Sequence, residues 1–132
     1  MITLIKSATI IDSSSPFHQQ KKDILIKDGS IKKIDTNIPS KKEYTIVERD
    51  NLHISCGWFD TSVSLGEPGY EERETIKNGL QVAAKSGFTA VAVNANSNPI
   101  IDNKSAVEFL INKAHGFATN LYPIAALTQG SK

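Results

Sequence analysis

Cysteine is almost missing from this chain. Cys56 stands alone, which excludes an internal disulfide and any Cys-x-x-Cys metal or redox motif. An excess of one charge is missing too: fifteen basic residues against fourteen acidic ones leave a formal charge of +1, so no general attraction to nucleic acid or to an anionic membrane is expected. No apolar run approaches the ~20 residues that span a bilayer, and the N-terminus lacks the apolar core of a signal peptide. The expected compartment is therefore the cytoplasm, with neither nucleic acid nor membrane as a partner. Catalytic signatures are sparse as well. No Gly-x-Ser-x-Gly elbow or His-Glu-x-x-His helix is present, which leaves nucleophilic hydrolases and metalloproteases without support. His18, His53 and His115 are scattered along the chain and read as ordinary surface or packing histidines. Cys56, just before an apolar strand, reads as a small buried core residue.

What is present is a change of period partway along the chain. Ile2 to Ile11 is rich in Ile and Thr, and Asp23 to Ile34 is two apolar runs around Asp28-Gly29, a dipeptide that favours positive φ and a tight hairpin. With Tyr44 to Val47 as a further strand, residues 1–55 read as a small, sandwich-like β-sheet unit. Residues 56–132 then alternate. Phe59 to Leu65 reads as a strand. Ile76, Leu80, Ala83 and Ala84 fall at helical spacing before Gly87, and Phe88 to Val93 is an apolar run of the kind buried in parallel sheets. Val107, Leu110, Ile111 and Ala114 mark a second helix, entered through Ser105-x-x-Glu108 as a capping box and closed by Gly116. Leu121 to Leu127 is the third strand. The order β-α-β-α-β implies an α/β fold with a parallel sheet and right-handed crossovers. This pattern permits a barrel or a doubly wound open sheet, although Glu67-Pro68-Gly69-Tyr70 lacks the Gly-rich spacing of a nucleotide loop.

Chemistry concentrates between Gly57 and Gly69. Ser62 and Ser64 are two apart on a predicted strand, so both side chains leave the same face and converge beyond the strand's end. Two imidazoles at that spacing would form half of a metal site. A serine hydroxyl stays protonated near neutral pH and offers a divalent cation only a weak oxygen. Asp60, two residues earlier, reads as a structural hydrogen-bonding residue.

The frame from Gly57-Trp58-Phe59-Asp60 to Leu65-Gly66-Glu67-Pro68-Gly69 resembles the first barrel strand of the dihydroorotase branch of the cyclic amidohydrolases. Asn94-Ala95-Asn96-Ser97-Asn98-Pro99 is similar to that family's second strand-to-helix loop, and Tyr122 to Gly130 resembles its third strand. The resemblance covers nearly the whole chain and implies the first part of a (β/α)₈ TIM barrel, a fold of roughly 250 residues, preceded by the small sheet. It implies a zinc-dependent, reversible hydrolysis of the cyclic amide of dihydroorotate, in pyrimidine biosynthesis. It also implies that Ser62 and Ser64 stand at the two histidine ligand positions, Gly66 at that of a carboxylate-binding arginine, and Asn96 at that of a substrate-binding asparagine.

Without imidazoles the strand offers no zinc ligand, and without a guanidinium Gly66 cannot grip a carboxylate through paired charge-assisted bonds. The expectation is thus a protein that resembles the family but carries no metal or catalytic residue on this chain, with Asn96 vestigial. Its role would be scaffolding or assembly, as a homo-oligomer or with an aspartate transcarbamoylase-type partner of the sort the wider family uses. The rival reading is an active divergent hydrolase that draws its ligands from residues beyond Lys132.

Overall fold

The computed structural model describes residues 1–131, which divide into two compact units, the first ending at Cys56 and the second beginning at Gly57. The first unit is a five-stranded sheet organised around one long strand, β1 (Ile2–Ile11). One edge of β1 pairs antiparallel with β2 (Lys21–Lys27), which in turn pairs with β3 (Ser30–Asp35). Asp28 and Gly29, at φ 51° and 75°, supply the two consecutive positive-φ residues that the predicted hairpin requires. The other edge of β1 is shared between two short parallel strands. β4 (Thr45–Val47) covers Thr3 to Ile5, and β5 (His53–Ser55) covers Thr9 to Ile11. β5 was not legible as a separate strand, because three residues carry no measurable period.

A bulge between Ile5 and Ala8 divides β1, with Ser7 at φ 52°. It turns the Ser7 N–H onto the Asp23 carboxylate (2.8 Å) instead of the ladder. Asp23 is buried, as are the apolar Leu4, Ala8, Ile10, Ile24 and Ile38 of the same unit. It also accepts the Ile38 N–H (2.9 Å) and the Lys6 ammonium (2.5 Å). Burial works to raise the Asp23 pKa. The Ile38 N–H, Lys6 and the Ser7 N–H outweigh it, holding the carboxyl below its ordinary value. Cys56 corrects the sequence reading: it is exposed, because it lies past the end of β5, with Sγ 3.6 Å from Asp12 Oδ2.

The second unit is a parallel sheet in the order β6 (Trp58–Val63), β7 (Phe88–Val93), β8 (Asn120–Pro123). Helices α1 (Ile76–Lys85) and α2 (Lys104–Lys113) connect the strands and pack on the sheet. Leu65, Ile76, Leu80, Val91, Val93, Ile101, Leu110 and Leu121 form the core between helices and sheet. Burying each of its leucines and isoleucines is worth about 1.5–3 kcal/mol. Gly79 in α1 serves this packing, since a Cβ there would lie 2.6 Å from Leu65 Cδ2. α1 is entered by Thr75, whose hydroxyl accepts from Asn78 N (3.2 Å), and the chain turns out of it at Gly87, φ 90°.

Beyond shifts of a residue or two at strand starts, three boundaries of the second unit differ from the sequence reading. α2 is capped by Asn103, whose Oδ1 accepts from Ala106 N (3.0 Å), and not by Ser105, which lies inside the helix. Glu108 instead approaches Lys104 one turn earlier (3.5 Å). β6 stops at Val63, so Ser64 and Leu65 belong to the loop. β8 stops at Pro123, after which the Ala126 N–H bonds Ile101 O (2.7 Å), turning the chain away from the sheet.

Candidate functional site

The predicted site residues come together where β6 and β7 end. The ladder continues one step past β7 through Asn94 N to Val63 O (2.9 Å), which sets the two chain segments side by side. Asn94 Nδ2 then donates to Ser62 Oγ (3.1 Å), and Asn96 Nδ2 donates to Ser64 Oγ (2.8 Å). Two Ser-Asn rungs therefore occupy the strand ends. Asn94 was missed by sequence reasoning, although Asn94-x-Asn96 repeats the two-residue spacing of Ser62-x-Ser64, and matching i, i+2 pairs where adjacent parallel strands end are what such rungs need. Asp60 accepts the Ser62 N–H (3.0 Å) two residues along its own strand.

Gly66 is not an empty position. Its N–H donates to Glu74 O (2.9 Å) and its carbonyl accepts from Tyr70 N (2.8 Å). A Cβ built on it would fall 1.9 Å from Tyr70 O and 2.9 Å from Glu74 O. The loop has closed over the space where a side chain would begin. Gly69, at φ 94°, is equally constrained: a Cβ would meet Asn98 O at 1.9 Å, and Asn98 N bonds Pro68 O (3.0 Å).

The acidic residues of this loop are engaged in holding it. Glu67 accepts the Ile76 N–H at the start of α1 (3.0 Å) and pairs with Lys113 from α2 (2.9 Å). This structural role was not visible in the sequence, because Lys113 lies far along the chain. Glu74 caps Thr75 N (2.8 Å) and holds the Asn78 amide, while the Gly69 N–H keeps the Glu71 carboxyl below its ordinary value.

Zinc does not fit this donor set. The hydroxyls of Ser62 and Ser64 are weak metal donors and are already hydrogen-bonded to amides. Among the described residues no group of three or more His, Cys, Asp or Glu could hold a metal ion. The histidines are elsewhere: His18 Nδ1 accepts the Asp12 N–H (3.1 Å), His53 lies on β5 with Nδ1 2.8 Å from Asn51 O, and His115 is exposed after α2.

Solved structures place this architecture. An L-hydantoinase from Arthrobacter aurescens superposes with a TM-score of 0.81 at 16% identity, over 98% of this chain and 28% of the other. A D-hydantoinase superposes with a TM-score of 0.73 at 24% identity, over 99% and 29%. The fold is that of the N-terminal portion of an amidohydrolase: a small sheet followed by the opening strands of a TIM barrel.

The family follows from sequence. Residues 53–132 match the dihydro-orotase-like family model, and the chain belongs to that family. It is 37% identical over its whole length to the dihydroorotase of Ruminiclostridium cellulolyticum and 38% identical to that of Pelotomaculum thermopropionicum. It spans 31% and 30% of those proteins' lengths. No helix among the described residues is long and apolar enough to cross a membrane.

Proposed function

We propose that this chain is part of a non-catalytic dihydroorotase-like protein, a cytoplasmic pseudoenzyme retained for assembly and not for pyrimidine chemistry. The observation that carries the reading is the pair of Ser-Asn rungs at the metal-ligand positions, Ser62 with Asn94 and Ser64 with Asn96. Closure of the loop over Gly66 supports it independently, since carboxylate binding and metal activation are separate contributions to transition-state stabilisation. The full-length protein, purified without chelator, should contain well under one equivalent of zinc by elemental analysis and should not turn over dihydroorotate. One or two tightly held zinc ions, or turnover that disappears in Asn96→Ala, would establish the divergent-hydrolase reading instead.

The second unit carries apolar surface and strand edges that either the remaining strands of a barrel or a second copy of the chain would cover. Phe59 and Tyr122, both 54% exposed, meet edge-to-face at 5.8 Å, and β6 and β8 each pair with only one neighbour among the described residues. Uncovered apolar surface and open strand edges favour association. The proposed associate is a second copy of the chain, with an aspartate transcarbamoylase-type protein as the alternative partner. Light scattering of the isolated 132-residue chain across a concentration series should show self-association. A monodisperse monomer with a sharp cooperative melt at every concentration would count against the three-strand partial-barrel assignment as well as the functional reading.

A further inference from the structure

The loop that joins β1 to β2 is closed by a histidine. The Asp12 N–H donates to His18 Nδ1 (3.1 Å), and His18 is half-buried. A backbone nitrogen only donates, so Nδ1 must be unprotonated and the neutral ring carries its hydrogen on Nε2. The foot of the loop is fixed to β1, where Ile10 N donates to Gln20 O (3.0 Å) and Gln19 N donates to Ile10 O (2.7 Å). Beyond that foot, the segment from Asp12 to His18 is held by Ser15 N to Asp12 O (3.0 Å), by His18 N to Ser15 O (3.1 Å) and by the imidazole itself. These bonds lie within the first unit and use neither of the Ser-Asn rungs.

Protonation reverses the role of Nδ1. Two N–H groups then face each other, and the bond to Asp12 N is lost. The imidazolium has a counter-ion at hand, because the charge of the Asp12 carboxylate and that of His18 attract. That carboxylate already accepts the Ser14 hydroxyl (2.7 Å) and the Ser14 N–H (2.9 Å) at Oδ1, with Cys56 Sγ at 3.6 Å from Oδ2. The Ser14 hydroxyl and N–H hold the Asp12 carboxyl below its ordinary value, so it stays ionised across the range of about pH 5–8 in which histidines titrate. On the β2 side stand Lys21 and Lys22, the Lys22 ammonium 5.8 Å from the centre of the Phe17 ring, and on the β5 side stands Cys56. The neutral ring thus serves the backbone and the charged ring serves the carboxylate. One Nδ1 cannot do both.

We propose that His18 is a pH-operated latch on the β1–β2 loop: neutral, it holds the Asp12 N–H and orders residues 12–18, and protonated it releases them while the foot of the loop stays paired with β1. The test is NMR of the full-length protein labelled with nitrogen-15 at histidine and aspartate. At the alkaline end of a titration from about pH 8 to about pH 5, the ring nitrogens of His18 should report the Nε2–H tautomer. Through the titration the Asp12 amide resonance should move with the midpoint of the His18 ring. Protection of that amide, corrected for intrinsic exchange, should fall about fivefold, the worth of one hydrogen bond. In His18→Gln, whose side-chain oxygen can accept but does not titrate, the step should vanish. Should that variant melt early, the tautomer and the shared midpoint in the parent protein decide. An Nδ1–H tautomer at the alkaline end, an Asp12 amide that keeps its protection at the acid end, or a step retained in His18→Gln would overturn the proposal. None of these outcomes bears on zinc content or dihydroorotate turnover, so the latch and the non-catalytic reading fail separately.

Discussion

Asp23→Ala should destabilise the first unit by about 3–5 kcal/mol, the usual cost of removing one partner from a buried ion pair. The loss exceeds one contact because three donors converge on this carboxylate: Lys6 Nζ and the backbone N–H groups of Ser7 and Ile38. Lys6 is itself only 18% exposed in its side chain, so the ammonium left behind is poorly hydrated. Truncation would also free the bulge at Ser7 and the segment at Ile38, which the carboxylate ties to β2. Denaturant unfolding would measure the effect. Asp35, whose pair with Lys33 is half-exposed on both sides, is the control, and Asp35→Ala should leave the midpoint nearly unchanged. The pH dependence has a definite sign. The folded-state pKa of Asp23 lies below its ordinary value, so its contribution is complete above about pH 4, near the unfolded value, and is lost as pH falls through the folded value. Asp23→Asn should flatten the acid limb of the stability profile. A wild-type acid limb retained in Asp23→Asn would assign the effect to other carboxyls.

Gly66→Ala should cost about 2–4 kcal/mol, a large effect for a single methyl group in a loop. The added Cβ meets backbone oxygens, Tyr70 O at 1.9 Å and Glu74 O at 2.9 Å, and backbone cannot rotate aside as a flexible side chain could. Relief requires opening the loop and breaking the Gly66 N to Glu74 O and Tyr70 N to Gly66 O bonds. Gly66→Arg should be at least as damaging. Introducing Ser62→His, Ser64→His and Gly66→Arg together, the reversal that the resemblance suggests, should therefore yield an unstable protein and not a zinc site. The informative reversal is Ser62→His with Ser64→His alone, which replaces two exposed side chains and leaves the Gly66 loop closed. Thermal melts of Gly66→Ala and of both reversals would decide. A triple variant that melts like the parent and holds zinc would show that the loop is free to reopen.

Period, turn chemistry and local motif were enough to read the α/β class, the Asp28-Gly29 hairpin, the apolar face of α1, that of α2 apart from Ile111, which is exposed, the parallel sheet and the family frame. Each depends on residues within about one turn or strand of one another, and such local preferences survive folding. The same locality fixed which chemistry Ser62 and Ser64 cannot perform, since a hydroxyl remains a poor metal donor in any fold.

Tertiary structure decided what those positions do instead. Ser62 meets Asn94 and Ser64 meets Asn96 across 32 residues, Glu67 meets Lys113 across two helices, and the N-cap of α2 moved from Ser105 to Asn103. Gly66 is the plainest instance. By sequence it was a missing side chain, whereas in the fold it is the one residue that can pass between Tyr70 O and Glu74 O. Composition reveals which atoms a residue lacks, but the space those atoms would need is set by chain segments that meet it only after folding.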